Sequence, residues 1–211
     1  MAYLSYMYIR RMFSRYPVIA PKAAVVSDEM LASVAGLDVL RRGGNAADAA
    51  LTMAACAQVL QPYSIGVGGD CFALHYDACT KKVRCVDGCG RSPAALTLEM
   101  VQSRSPQDWT RERYMYGLQA TVPGAVKAWF YIASRFGSGK LSMSDLLAPA
   151  IRYAEDGVPM DHVKQAIFRH MLNALQRMPG GRFFLGGDNN EPPIGNLMVN
   201  RPLAALLKAS A

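Results

Sequence analysis

The chain has 211 residues, 51% hydrophobic and 18% charged, an ordinary globular mix with material for one core of good size. Its net charge of +7 is scattered over Arg10, Arg11, Arg15, Lys81, Lys82, Arg84, Arg111 and Arg113 rather than interleaved with aromatics, which argues against a nucleic-acid surface. The five cysteines (Cys56, Cys71, Cys79, Cys85 and Cys89) form no C-x-x-C pair, and His75, His162 and His170 stand at no ligand spacing to them, so no metal site is expected.

From Met1 to Ser27 the chain has no acidic residue; Asp28 is the first. This stretch has no long apolar run, so it reads as neither a signal peptide nor a membrane span. Residues 1–16 are expected to be a basic leader or a targeting arm. An odd cysteine count without a signal peptide fits reduced thiols in a cytoplasmic or organellar compartment.

Ala23 to Ser27 is short, apolar and β-branched, which predicts a buried strand. Ser27 or Asp28 is the expected cap of a helix whose apolar stripe is Leu31, Val34, Ala35, Leu37 and Leu40. Arg41 and Arg42 suit its C-terminus, and Gly43 its left-handed stop. Asn45, with Asp48 three residues on, is expected to cap a second helix of about fifteen residues, buried and rich in alanine, that ends at Gln61-Pro62.

Ser64 to Asp70 is a glycine loop with Gly66, Gly68 and Gly69. A phosphate-binding reading fails on element order. Here the order is helix, loop, strand, whereas a dinucleotide loop needs strand, loop, helix, and the Walker Lys-Ser/Thr is also missing. A packing turn or a substrate-facing turn is expected instead. Cys71 to Tyr76 and Lys82 to Asp87 predict a hairpin. In its second strand Val83, Cys85 and Asp87 share one face, and Arg84 and Val86 the other. His75 is expected to be a satisfied strand histidine.

Ser103 to Met115 reads as a polar surface loop. Ala120 to Gly124 leads into a helix over 125–136. Ser142 with Asp145 predicts a capping box for a helix over 143–156, with Pro149 bending it or marking its first turns. Gly157 and Pro159 end that helix, and Asp161 caps another that runs to about Met178. A long loop over 179–196 precedes a last helix from Arg201 to Ala209. No Ser-His-Asp set, H-E-x-x-H or motif-spaced carboxylate pair can be identified. The residues alone give an α/β or α+β layered domain without a nameable reaction.

Five motifs add a family. Leu31-Ala32-Ser33-x-Ala35-Gly36-Leu37, Gly43-Gly44-Asn45-Ala46-x-Asp48-Ala49-Ala50 and Ser64-Ile65-Gly66-Val67-Gly68-Gly69 resemble the opening of gamma-glutamyltransferases. So do Thr121-Val122-Pro123-Gly124 and the run from Leu147 to Gly157. The likeness extends over residues 17–211.

The resemblance implies an α+β, helix-rich part of a four-layer αββα sandwich of the N-terminal nucleophile hydrolase type. It implies a precursor that cuts itself and exposes a threonine nucleophile whose own α-amine is the base. That threonine is expected beyond Ala211, on a small subunit of the same precursor. Thr52, Thr80, Thr97, Thr110 and Thr121 fall in the wrong part of the pattern, so no catalytic residue is assigned within 1–211. The implied substrate is a small gamma-glutamyl compound such as glutathione, or another small amide, with no cofactor. The chain is then the first part of a large subunit and inactive by itself. The alternative is an inactive remnant or an interaction module.

In this family an arginine just after the second hairpin strand grips the α-carboxylate of the glutamyl group, a task suited to its planar fork. Aligning on Pro93 places Cys89 at that position, with Arg91 two residues later in Gly88-Cys89-Gly90-Arg91-Ser92-Pro93. A cysteine makes no such clamp. Arg91 is the residue to replace it from a shifted turn, or it is a surface arginine. The variant resembles a divergent branch near the amidohydrolase and acylase-like relatives.

Overall fold

A computed structural model describes residues 18–103, 120–178 and 180–211. The leader over 1–16 lies outside these residues, as does all but the first residue of the polar stretch from Ser103 to Met115. The described chain is α+β, with helices predominating over two short antiparallel pairs of strands.

Helix α1 spans Met30–Arg41 and α2 spans Ala46–Leu60. Gly43 takes φ +91° and turns the chain between them, as a residue without a Cβ can. Asn45 accepts from the N–H groups of Ala47 and Asp48, and the Asp48 carboxylate accepts from the Asn45 N–H, which completes the expected box. The expected cap of α1 is corrected. Helix α1 starts after Glu29, which makes no side-chain cap, while the Ser27 hydroxyl donates to the Glu29 carbonyl. The buried stripe is Ala32, Ala35, Gly36 and Val39, whereas Val34 is 54% exposed. Small residues face α2 because the two helices come close. A Cβ at Gly36 would stand 2.5 Å from the Met53 sulfur.

The predicted strand over Ala23 to Ser27 is also corrected. The stretch is not a strand, and of its five residues only Val25 is even half-buried. A strand needs a neighbour to take up its N–H and C=O groups, and among the described residues none lies beside it. The stretch instead borders an open groove with Ala46, Ala50 and Met53 of the helix pair.

Strands β1 (Cys71–Asp77) and β2 (Lys82–Gly88) form the predicted hairpin, with Leu74 opposite Cys85 and His75 opposite Arg84. After the short helix α3 (Leu98–Gln102) comes α4 (Ala125–Phe136), on which the hairpin lies. Val86 packs with Ala128, Ile132 and Phe136, and the Arg84 guanidinium sits over the Phe136 ring at 6.0 Å. The two faces of β2 are therefore those read from its alternation. His75 stacks on Phe136 with ring centroids 4.5 Å apart, but its Nδ1 has no hydrogen-bond partner, so the expected satisfaction is one of packing only. The opposite face of the hairpin is bare: Phe72, Leu74, Tyr76 and Val83 are 61–78% exposed.

Helix α5 (Met143–Asp156) has the predicted Ser142/Asp145 box and holds Pro149 inside it, and Gly157 ends it at φ +87°. Strand β3 (Val158–Pro159) leads to α6 (His162–Arg177), capped by Asp161. Within the predicted long loop a 3-10 turn occupies Gly181–Phe184. Strand β4 (Leu197–Met198) then pairs with β3, and α7 (Arg201–Ala209) closes the chain. The main core joins α2, α5 and α7 through Leu51, Leu60, Leu146, Leu147, Ala204 and Leu207. Among the described residues no helix is long and apolar enough to cross a membrane.

Candidate functional site

The residues assigned from sequence, Cys89 and Arg91, lie on the turn that follows β2, and three separate segments hold that turn. The first is the end of the glycine loop. Asp70 Oδ1 accepts from the Gly90 N–H at 2.8 Å and from the Thr121 hydroxyl at 2.9 Å. The second is the approach to α4. Gly69 O accepts from the N–H groups of Gly124 and Ala125, and Arg91 O accepts from Val122 N–H at 2.9 Å. The third is β2 itself, where Asp87 Oδ1 accepts from the Cys89 N–H at 2.9 Å.

Backbone runs against backbone here, which explains the glycines. A Cβ at Gly90 would fall 1.8 Å from the Val122 carbonyl oxygen, and one at Gly124 would fall 2.1 Å from that of Gly88. No side chain fits at either point. The glycine loop itself behaves differently from expectation. Gly66 and Gly68 have open space where a Cβ would stand, and neither takes a positive φ. The close approach that the sequence suggested for 66–69 falls instead at Gly88, Gly90 and Gly124.

Cys89 and Arg91 are both exposed. The Cys89 thiol faces two acceptors, Asp70 Oδ2 at 3.6 Å and Gly90 O at 3.5 Å. Loss of water contact, then the charge and hydrogen bond of Asp70, then Asp87, push the thiol above its ordinary pKa and keep it protonated. The Asp70 carboxyl is held below the usual range by the Gly90 N–H, then by the Thr121 hydroxyl. Cys89 also lines a cavity of about 420 Å³ with Cys85, Asp87, Gly124, Lys127 and Tyr131. Lys127 stands in the first turn of α4, exposed, and makes no ion pair among the described residues. The site thus offers a neutral thiol, fixed carboxylates and a lysine around an open hollow.

The described threonines are engaged elsewhere. Thr52 is buried and donates to Leu146 O, Thr80 donates to Asp77, Thr97 caps α3, and Thr121 donates to Asp70. Thr110 lies outside the described residues. Sequence reasoning missed Asp70 and Lys127. Asp70 did carry a signal, as an acid placed where a glycine loop enters a strand. What it binds lies 20 and 51 residues downstream, and no spacing rule connects them.

With this geometry in hand, comparison with known proteins is direct. The gamma-glutamyltranspeptidase family model matches residues 32–211. The chain is 39% identical over 145 residues to the glutathione hydrolase-like YwrD proenzyme of Bacillus subtilis, a match covering 68% of this chain and 26% of that one. It is 32% identical over 203 residues to the acylase ACY 1 proenzyme of a Pseudomonas species, covering 92% of this chain and 36% of that one. The gamma-glutamyltranspeptidase of Helicobacter pylori superposes with a TM-score of 0.83 at 25% identity, over 91% of this chain and 55% of that one. The chain thus spans about a quarter to a third of the curated relatives' length. From motifs, fold and matched residues together, the chain belongs to the gamma-glutamyltranspeptidase family.

Proposed function

We propose that residues 17–211 are the N-terminal part of the large subunit of an amide-cleaving N-terminal nucleophile hydrolase. In this reading the described chain supplies one helical layer and the start of one sheet of an αββα sandwich. The observation that carries it is the hairpin. One face lies on α4, and the other presents Phe72, Leu74, Tyr76 and Val83 bare, as a sheet awaiting a second sheet does. A small subunit of the same precursor is the proposed partner. The relatives whose names include "proenzyme" support that arrangement.

The chemistry follows from the nucleophile that such a subunit carries. The threonine hydroxyl attacks the substrate carbonyl while its α-amine takes the proton. The C–N bond breaks, the amine leaves with that proton, and an acyl ester of the threonine remains. Water or an amino acid then attacks the ester and releases the acid or a new amide. The chain's own contribution is the pocket wall at 88–91. The family's carboxylate-gripping arginine is replaced there by Cys89, and Arg91, exposed on the same turn, is the residue placed to substitute for it.

Two measurements test this. The full-length precursor should split in two and hydrolyse acyl anilides, while the 211-residue chain alone shows no turnover of a chromogenic gamma-glutamyl anilide above a heat-killed control. In the mature enzyme, Cys89→Arg should raise turnover of gamma-glutamyl substrates, and no gain would count against loss of the clamp as the point of divergence. The bare apolar faces also support a second reading, a non-enzymatic module that binds a partner through them. A stop codon directly after Ala211 favours that reading. A downstream threonine at a cleavage junction favours the enzyme.

A further inference from the structure

We propose that Asp70 is a specificity-determining residue of the acyl pocket, excluding acyl groups that present a carboxylate at the Cys89 position. The inference rests on the acyl-transfer reading above and deepens it. Asp70 Oδ1 is committed to the Gly90 N–H and the Thr121 hydroxyl, and two such bonds fix the plane of the carboxylate. Its second oxygen, Oδ2, is thereby turned toward Cys89 Sγ. The only other partner of that sulfur is the Gly90 carbonyl oxygen. Both groups facing the thiol are therefore acceptors, and one of them is charged. Asp87, bonded to the Cys89 N–H, adds a second carboxylate to the same turn.

A substrate carboxylate has only lone pairs to offer. Placed beside Cys89 it would find a single weak S–H donor and a fixed negative charge. A group with a donor of its own, such as a hydroxyl, an amide N–H or an ammonium, can instead bond to Asp70 Oδ2. Lys127 enters the same cavity from the head of α4, but it makes no bond to Cys89 or Asp70 and leaves the thiol's surroundings unchanged. The class of acyl group admitted is thus one that is uncharged or donor-bearing at this position. One corollary is that an arginine introduced at 89 would find Asp70 waiting as a partner, in competition with the substrate.

The test reads the field at Cys89 without any turnover, so its outcome is separate from that of the acyl-transfer reading. The 211-residue chain is alkylated with iodoacetate, an anion, and with iodoacetamide, its neutral counterpart, and labelling at Cys89 is followed by peptide mass spectrometry. The ratio of the two rates cancels the thiolate fraction and leaves the charge effect. Asp70→Asn retains an acceptor for Gly90 and Thr121 but removes the charge. It should raise the iodoacetate-to-iodoacetamide ratio at Cys89 about threefold to fivefold, the size of one unit-charge interaction near 4 Å in water. The ratio at Cys79 should stay as it is. In the unmutated chain, raising the salt to about 1 M should lift the Cys89 ratio in the same direction by screening. A Cys89 ratio unmoved by the substitution, or unmoved by salt in the unmutated chain, overturns the proposal.

Discussion

Asp48 shows how much one side chain carries in this fold. It is 2% exposed, and its Oδ2 accepts from the N–H of Asn45 at 2.9 Å and of Ser138 at 3.0 Å. It therefore caps α2 and ties it to the loop after α4. Asp48→Ala should cost about 2–3 kcal/mol, the sum of a lost cap and a stranded buried N–H. Urea unfolding followed by circular dichroism would measure it. The half of this arrangement within four residues was legible from the Asn45/Asp48 spacing, while the bond to Ser138, 90 residues away, was not. Asp145 makes a prediction in pH. The Ser142 hydroxyl, then the Ser142 N–H, then Arg42 hold its carboxyl down at about 2, against an ordinary 3.8. A depressed folded pKa means that the folded state binds fewer protons in this window, so stability rises with pH there. The contribution is present above the ordinary value and is lost as the pH falls through about 2. Asp145→Asn should flatten the fall of the melting temperature across that interval, as a thermal scan at several pH values would show.

At the scale of elements, local signals were readable wherever a helix begins or ends within one turn. The Asn45, Ser142 and Asp161 caps and the left-handed Gly43 are all of this kind. The hairpin was readable from alternation, because one face of β2 meets α4 and the other meets nothing. The strand read into Ala23 to Ser27 failed because composition measures willingness to pair, whereas pairing needs a second strand. The knot around 88–91 lay beyond sequence reasoning for a related reason: its glycines are required by backbone from elsewhere. Gly90→Ala drives a methyl into the Val122 carbonyl and should destabilise the chain by about 2–4 kcal/mol. Gly68→Ala, with open space around it, should lie within about 0.5 kcal/mol of the parent. Paired thermal melts of the two variants would separate the knot from the loop, and equal losses would contradict this account.

For the whole molecule, the decisive feature is that the helical side is closed and the sheet side is open. Leu146, Leu147, Ala150 and Ala154 are at most 1% exposed, while Leu74 on the outer face of β1 is 78% exposed. The isolated chain should therefore bind an apolar dye and elute at concentration-dependent size in gel filtration. Asp in place of both Leu74 and Val83 should suppress both effects without loss of helix signal by circular dichroism. Unchanged elution of the double variant would place the association elsewhere. The open hairpin also has a consequence in time. In a precursor of the relatives' proportions, the ribosome adds about 5–20 residues each second, so the bare face waits for tens of seconds before downstream chain can cover it. Slower translation lengthens that wait, and chaperone occupancy of the nascent chain should then peak once β2 has cleared the exit tunnel.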